Sequence, residues 1–471
     1  MELLDLVLNT FGSAVFVPLV LFIVAKALSV KTKKAFQVAV LSAVGLTGFG
    51  MIIGGYMPVI IPVISQMVDV TGVELPVFDA GWQNASIIAY STRIGMLFVG
   101  IALAFQILLF FIKWTNVFMP SDLWNNYSFM VWGSMLYLIT GNMPLAIGLM
   151  IVQNLYILLF SEVFARRWSK YYKYPSCTMT APHHIGGVPF IIAINWVLNK
   201  LGLYKIKIDA DSLQSKLGFI GDPMTLGLLL GFIIGVLGNI NNLGALSSWG
   251  QITGLATATA AVMGIFPKVA GIFAAAFTPL TEASTKSMQK GNDREWYLAV
   301  NDAAAYGESN TLITGIMLIP IIFLIALILP GNKTLPVVDL IALPFMISVM
   351  ISASNGNIFK GIIGGVLYFA IGLGFCTYTA GPFTEVAASV GIGAELIAAG
   401  LMITSFGILN NPTMGLLFMT FLSGNPLLIG VAIVLYFALH FGFRKNKESV
   451  YSFIEAQAMM EGDLEAVGTE V

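Results

Sequence analysis

Runs of apolar residues too long for a water-soluble core decide what this chain can become. They cover roughly 9–28, 38–60, 94–112, 128–141, 144–160, 224–240, 254–266, 311–329, 337–353, 361–378 and 427–441. A straight membrane-spanning helix needs about 20 apolar residues, so the shorter runs read as broken, or as continuing into polar neighbours. The pattern predicts an all-α polytopic membrane protein with about eleven spans. Composition agrees, since 57% of residues are hydrophobic and 10% charged, against about 25% charged in a soluble domain. The net charge of −1 points to no nucleic-acid partner. Cys177 and Cys376 stand far apart, without metal-type spacing. The run at 9–28 is span-length and has no basic leader, so no cleavable signal is expected.

Basic residues sit in alternate loops, and their side sets the orientation. Lys31, Lys33 and Lys34 follow the first run; Arg166, Arg167, Lys170 and Lys173 follow the fifth. Lys200, Lys205, Lys207 and Lys216 precede the sixth, Lys268, Lys286, Lys290 and Arg294 follow the seventh, and Arg444, Lys445 and Lys447 close the last. Loops 61–84, 241–253 and 379–394 hold neither Lys nor Arg. One threading collects the basic residues on the cytoplasmic side, with the N-terminus outside and the C-terminus inside. It divides the chain into a membrane domain at 1–443 and a cytoplasmic tail at 444–471. Several stretches resist simple spans: semi-polar 79–93, apolar 185–198 between basic loops, 300–311, and 394–422, broken at Asn410-Asn411-Pro412. Irregular backbone at membrane depth persists only inside protein or beside a watery cavity. The breaks at 79–92 and 405–413 take corresponding places in the two halves. That predicts re-entrant hairpins and an inverted repeat, though no residue-level self-similarity supports it.

An ionised side chain at the bilayer centre costs about 2.5–3.5 kcal/mol, so it rarely persists without a partner or a job. Four stretches qualify. In Asp79-Ala80-Gly81-Trp82-Gln83-Asn84-Ala85-Ser86, Asn84 and Ser86 offer groups that match hydroxyls; the stretch also reads as an external loop with an interfacial tryptophan. Pro182-His183-His184 holds two of the three histidines. Zinc would need further ligands, and none is close in sequence, so no metal is expected. The pair is either part of a cytoplasmic loop, or a ligand contact or gate. Asn301-Asp302 with Gly307-Glu308-Ser309-Asn310 could hydrogen-bond several ligand hydroxyls, or Asp302 or Ser309 could cap the following helix. Asn410-Asn411 is either a turn between spans or the tip of a re-entrant hairpin. Gln153, beside Asn154 in an apolar run, is a ligand contact or interhelical glue. No Walker-type phosphate loop and no arginine-rich helix is present.

At these residues the sequence resembles a family, the galactitol-type IIC membrane component of the bacterial phosphoenolpyruvate-dependent sugar phosphotransferase system. The stretch 210–227, ending in Gly221-Asp222-Pro223-Met224-Thr225-Leu226-Gly227, resembles its G-[ED]-P-x-T-x-G pattern. Pro330-Gly331-Asn332-Lys333-Thr334-Leu335-Pro336 is similar to its P-G-N-x-x-L-P turn. Asp79-Ala80-Gly81-Trp82 and Asp122-Leu123-Trp124-Asn125 match its D-x-G-W and D-x-W-N elements. Two places depart: Glu308 stands where the pattern has histidine after glycine, and P-H-G-T reads Pro182-His183-His184-Ile185. These leave the particular polyol or sugar open.

The resemblance implies a permease in the bacterial inner membrane, a homodimer whose substrate-holding core moves like an elevator against a dimerising domain. A separate IIB protein, fed by IIA, would phosphorylate the substrate from its cysteine. No cofactor is expected. On this reading the substrate lies between the two breaks, bonded by Asn84, Ser86, Gln153, Asp302, Glu308 and Asn310, with Ser309, Asn410 and Asn411 beside it. Asp302 or Glu308 would serve as base, while His183 or His184 neutralises phosphate. The rivals are an ion-coupled secondary carbohydrate transporter, with the same carboxylates as ion sites, and an intramembrane enzyme acting on lipids.

Overall fold

The computed structural model describes residues 18–460 apart from 20, 24, 27, 28, 72–74, 212–222, 290–294, 337 and 399. Most of the expected first span, the 212–222 part of the G-[ED]-P stretch and the last residues of the tail lie outside the described residues. What is described is mostly helical. Among the described residues five helices are long and apolar enough to cross a membrane: Arg93–Phe111, Met143–Tyr172, Ser309–Ile328, Ile358–Ser389 and Pro426–Lys445. They match the expected runs at 94–112, 144–160, 311–329, 361–378 and 427–441. Helices also reach further into the basic-free loops than hydropathy implied, to Thr71 and Ser389 and from Leu246.

Three long elements form a bundle of their own: Thr32–Thr71, Pro223–Gly238 and Leu246–Gln289. Gly227, Gly231 and Gly235 recur every fourth residue and so share one helix face. Helices in lipid associate through such small residues, which let backbones approach. A Cβ at Gly231 would stand 2.7 Å from the Leu255 carbonyl oxygen, and one at Gly235 would stand 2.9 Å from Ile252 Cα. Tyr56 Oη and Thr259 Oγ1, 2.8 Å apart, tie the third helix in. Gly231→Ala should therefore cost about 1–3 kcal/mol through overpacking, read as a lower unfolding temperature in detergent. Gly254→Ala, with nothing within 4 Å of its Cβ position, should leave that temperature unchanged. Equal melting of the two variants would refute the close approach.

The expectation of an all-α chain needs correction, because six short strands occur among the described residues. They are β1 Val77–Asp79, β2 Val117–Phe118, β3 Cys177–Met179, β4 Tyr297–Val300, β5 Thr334–Leu335 and β6 Met402–Thr404. All pair in parallel, in two sheets of order β5-β1-β6 and β2-β4-β3. Their residues are mostly β-branched, aromatic or otherwise apolar, and largely buried, as parallel strands require. Runs of two to four residues are too short to display a period-2 alternation, which is why they read as parts of spans or loops. The expected span at 337–353 is also corrected: it is Asp339–Ala342, Leu343–Met346 and Ser348–Ala353 in succession. Pro344 has no backbone N–H to donate to the preceding turn, and it stands in the first turn of Leu343–Met346, where that N–H is not needed.

Outside the spans, helix Lys447–Ala458 packs back on Met143–Tyr172. Arg166 bonds Glu295 at 3.0 Å and Glu448 at 2.6 Å, and Arg167 bonds Glu455 at 3.0 Å. Burial acts to raise the Glu295 carboxyl, but Arg166 and Tyr297 outweigh it and hold the group at about 2.

Candidate functional site

The site grows from the pairing of β3 with β4. Their register sets Cys177 beside Leu298, Thr178 beside Ala299 and Met179 beside Val300. Because the strands are parallel, the two chains leave the sheet side by side. Thr180-Ala181-Pro182-His183-His184 emerges next to Asn301-Asp302. Asp302 Oδ2 lies 3.0 Å from His184 Nε2 and 3.4 Å from His183 Nε2. The imidazoles meet edge to face at 4.1 Å between centroids. Both are nearly sealed from solvent, whereas the Asp302 side chain keeps 15% of its surface. With Asp302 ionised, both Nε2 atoms carry the proton and donate to it. That leaves each Nδ1 a buried acceptor without a partner. The three groups lie within 4.8 Å of one another.

Asp122, which sequence reasoning did not select for the site, holds these strand exits together. Its carboxylate accepts from Asn125 Nδ2 at 2.8 Å, from Thr180 Oγ1 at 3.2 Å and from Asn301 Nδ2 at 3.5 Å. Ser121 Oγ donates to Ala299 O at 2.7 Å. The first sheet ends in a similar knot. Asp79 accepts from Gly81 N, Phe406 N and Asp339 N at 3.2, 3.0 and 2.7 Å. Asp339 accepts from Trp82 N, Ser405 Oγ and Gly407 N at 2.8, 2.8 and 2.7 Å. Gly81 takes φ +89° to turn from β1 into its helix, a conformation that favours glycine. Asp122 and Asp339 each fall four residues beyond the end of a short strand. That spacing becomes visible only once the strands are known, and in the sequence Asp122 stands out only through the D-x-W-N resemblance.

The remaining candidates divide. Glu308, proposed as a base, is the N-cap of helix Ser309–Ile328 and accepts from Asn310 N, Thr311 N and Thr311 Oγ1. The capping role considered for Asp302 or Ser309 belongs to Glu308 instead; Asp302 makes no side-chain cap bond, and Ser309 opens the helix half-buried. Asn310 accepts from Ala210 N and donates to Tyr171 Oη and Glu308. Asn84 turns its amide back to Ala80 O, and Ser86 is buried two residues further on. Gln153 donates to Met414 O at 3.2 Å, while neighbouring Asn154 is buried with both amide atoms unpartnered. Asn411 caps helix Pro412–Leu422 and donates to Pro182 O at 3.1 Å; Thr413 donates to Gly186 O at 2.7 Å. These bonds bring the 405–413 segment against the histidine turn. Asn410 beside it is buried, with neither amide atom satisfied.

Comparison with known proteins then identifies this architecture. Residues 7–395 match the family model described as PTS system sugar-specific permease component. The chain is 28% identical over 414 residues to the PTS system galactitol-specific EIIC component of Escherichia coli (strain K12), covering 87% of this chain and 89% of that one. It is 27% identical over 400 residues to a putative permease IIC component of the same organism, covering 84% and 90%. The ion-coupled transporter reading is not favoured by these matches. The chain is a multi-pass membrane protein and belongs to the family of sugar-specific permease, or IIC, components of the phosphotransferase system.

Proposed function

We propose that this permease carries a polyol or sugar of the galactitol class across the bacterial cell membrane and holds it for phosphorylation by a separate IIB protein. One observation carries the reading: Asp302, partly open to solvent, is gripped by His183 and His184 at the exit of the paired strands. The attacking hydroxyl gives its proton to Asp302 as its oxygen bonds phosphorus. The P–S bond to the IIB cysteine breaks, and its electron pair leaves with the thiolate. The imidazoles orient the carboxylate, and such positioning supplies much of the rate in phosphoryl transfer. Glu308 is assigned to helix capping rather than to this step, since both its oxygens are engaged.

The finer architecture belongs to the same proposal. Each sheet takes its central strand from one half of the chain and its flanking strands from the other. This interchange supports an inverted repeat with β1, β2 and β3 corresponding to β4, β5 and β6. The glycine-packed bundle is assigned to a dimerising scaffold, and the strand-bearing body to the moving core of an elevator. The side of the basic loops supports a cytoplasmic C-terminus and an outside N-terminus, with the membrane domain assigned to 1–443 and the tail beyond it. Arg166, Lys170 and Lys173 line one cavity near the starts of β3 and β4, which suits the docking of IIB there.

The test supplies inverted membrane vesicles containing this chain with phosphoenolpyruvate, the general phosphotransferase proteins and the cognate IIA and IIB. Labelled galactitol and related polyols and sugars are then screened. A phosphorylated product that depends on the chain is expected. Accumulation of unmodified solute, collapsed by an ionophore, would overturn the proposal.

A further inference from the structure

Resting on that function, we propose that Tyr368 and Asn410 form a second hydroxyl-binding subsite for the same substrate, across the Gly186-Gly187 turn from Asp302. Tyr368 lies on helix Ile358–Ser389 and is 3% exposed, yet its hydroxyl has no hydrogen-bond partner. The ring is held against Phe369, with centroids 5.4 Å apart. Its hydroxyl rests over Gly187, where a Cβ would lie 2.5 Å from the oxygen. One helical turn along, Gly372 makes room for Asn410, and a Cβ there would lie 2.7 Å from the Asn410 carbonyl oxygen. Asn410 is 1% exposed, and neither atom of its amide is bonded.

Tyr368 thus meets the turn that carries the two histidines, and Asn410 is the chain neighbour of Asn411, which packs on that turn at Gly186. Gly187 N bonds His184 O at 2.9 Å, and Asn411 reaches Pro182 O. Folded proteins rarely leave buried polar groups unpaired, because nothing repays their lost hydration. Two such residues, one at this turn and one in the segment packed on it, beside two unpartnered imidazole Nδ1 atoms, mark a place built to be completed by another molecule. The chemistry of the set defines that molecule. A phenol and a primary amide each donate and accept, and an alcohol does the same. An anion would satisfy only the donors, and an apolar ligand neither. The complement is an uncharged chain bearing several hydroxyls. One end of it sits at Asp302 for phosphorylation, and the hydroxyls further along meet Tyr368 and Asn410.

The experiment measures direct binding to the purified full-length chain in detergent, without IIB, and then phosphorylation in vesicles. The probe is the radiolabelled polyol or sugar that the vesicle screen identifies, with its monodeoxy analogues as competitors. Tyr368→Phe should weaken binding about tenfold, the worth of one buried hydrogen bond. KM should rise in parallel, with kcat within about twofold of wild type. One monodeoxy analogue should bind wild type and Tyr368→Phe equally, because the lost partner is already missing from the ligand. Asn410→Ala should repeat the pattern with a different analogue, and it serves if the first variant does not fold. Wild-type affinity in both variants, or an equal loss for every analogue, would overturn the subsite. If wild type binds polyols with these signatures but phosphorylates none, the subsite stands and the phosphotransfer reading fails. If wild type neither binds nor phosphorylates any polyol or sugar, both fall together.

Discussion

Asp302→Asn should lower phosphorylation-coupled uptake at least about 100-fold, the lower range for removing a general base, while leaving substrate affinity and thermal stability near wild type. The substitution keeps the shape of the side chain and leaves an amide oxygen to accept from an imidazole Nε2–H. It removes the capacity to take a proton. The loss should therefore appear in kcat and not in KM, as expected of an interaction that matters only in the transition state. Single-turnover phosphorylation by phospho-IIB separates the two, and an unfolding scan in detergent checks the fold. Wild-type turnover by Asp302→Asn would remove the residue from the chemistry. A matching loss of binding would instead make it a substrate anchor.

Asp339→Ala should produce the largest loss of stability, about 3–5 kcal/mol, since each buried donor left without an acceptor costs about 1–3 kcal/mol. Three donors converge on that carboxylate from two other segments: Trp82 N from one, Ser405 Oγ and Gly407 N from the other. Alanine leaves all three in a dry site without acceptors. Ser405→Ala is the comparison, because it removes one donor and leaves Gly407 N to satisfy the same oxygen; it should cost about 1 kcal/mol. Yield in the membrane and unfolding temperature in detergent are the readouts. Comparable behaviour of the two variants would show that Asp339 does not hold the segments together.

The spans were legible where the apolar run was long and uninterrupted, as at 311–329 and 427–441, since lipid imposes one solution on such a sequence. The histidine pair and Asp302 were legible because polar groups are conspicuous in that setting. Their contact was not, since 118 residues separate His184 from Asp302 and only the β3–β4 register joins them. Glu308 shows how one residue type serves two ends. A carboxylate at the start of an apolar helix looks like a binding group, yet four helix N–H groups there need acceptors, and Glu308 answers two of them. Asp339 was hidden by its setting, between Val338 and Leu340-Ile341-Ala342, and Asp122 stood out only as part of the D-x-W-N resemblance. Tyr368 had no signal in the sequence, because tyrosines are common in such helices and only the unpaired hydroxyl distinguishes this one.

The interchange of strands between the two halves also dictates the order in which the protein can be made. β1 leaves the ribosome early, but its flanking partners come after Lys333 and after Leu401, and Phe406 N lies 327 residues from the Asp79 oxygen it bonds. Likewise β2 and β3 wait for β4. Until residue 300 is made, neither sheet has its three strands, and the first is complete only at Thr404. Such distant pairing is slow to find, so the nascent chain spends most of its synthesis with polar strand edges unpaired among partly assembled helices. A polypeptide cut in the connection between β3 and β4 yields two fragments, each lacking what the other must insert. Neither should survive the membrane's quality control alone, while co-expression of the pair should restore both.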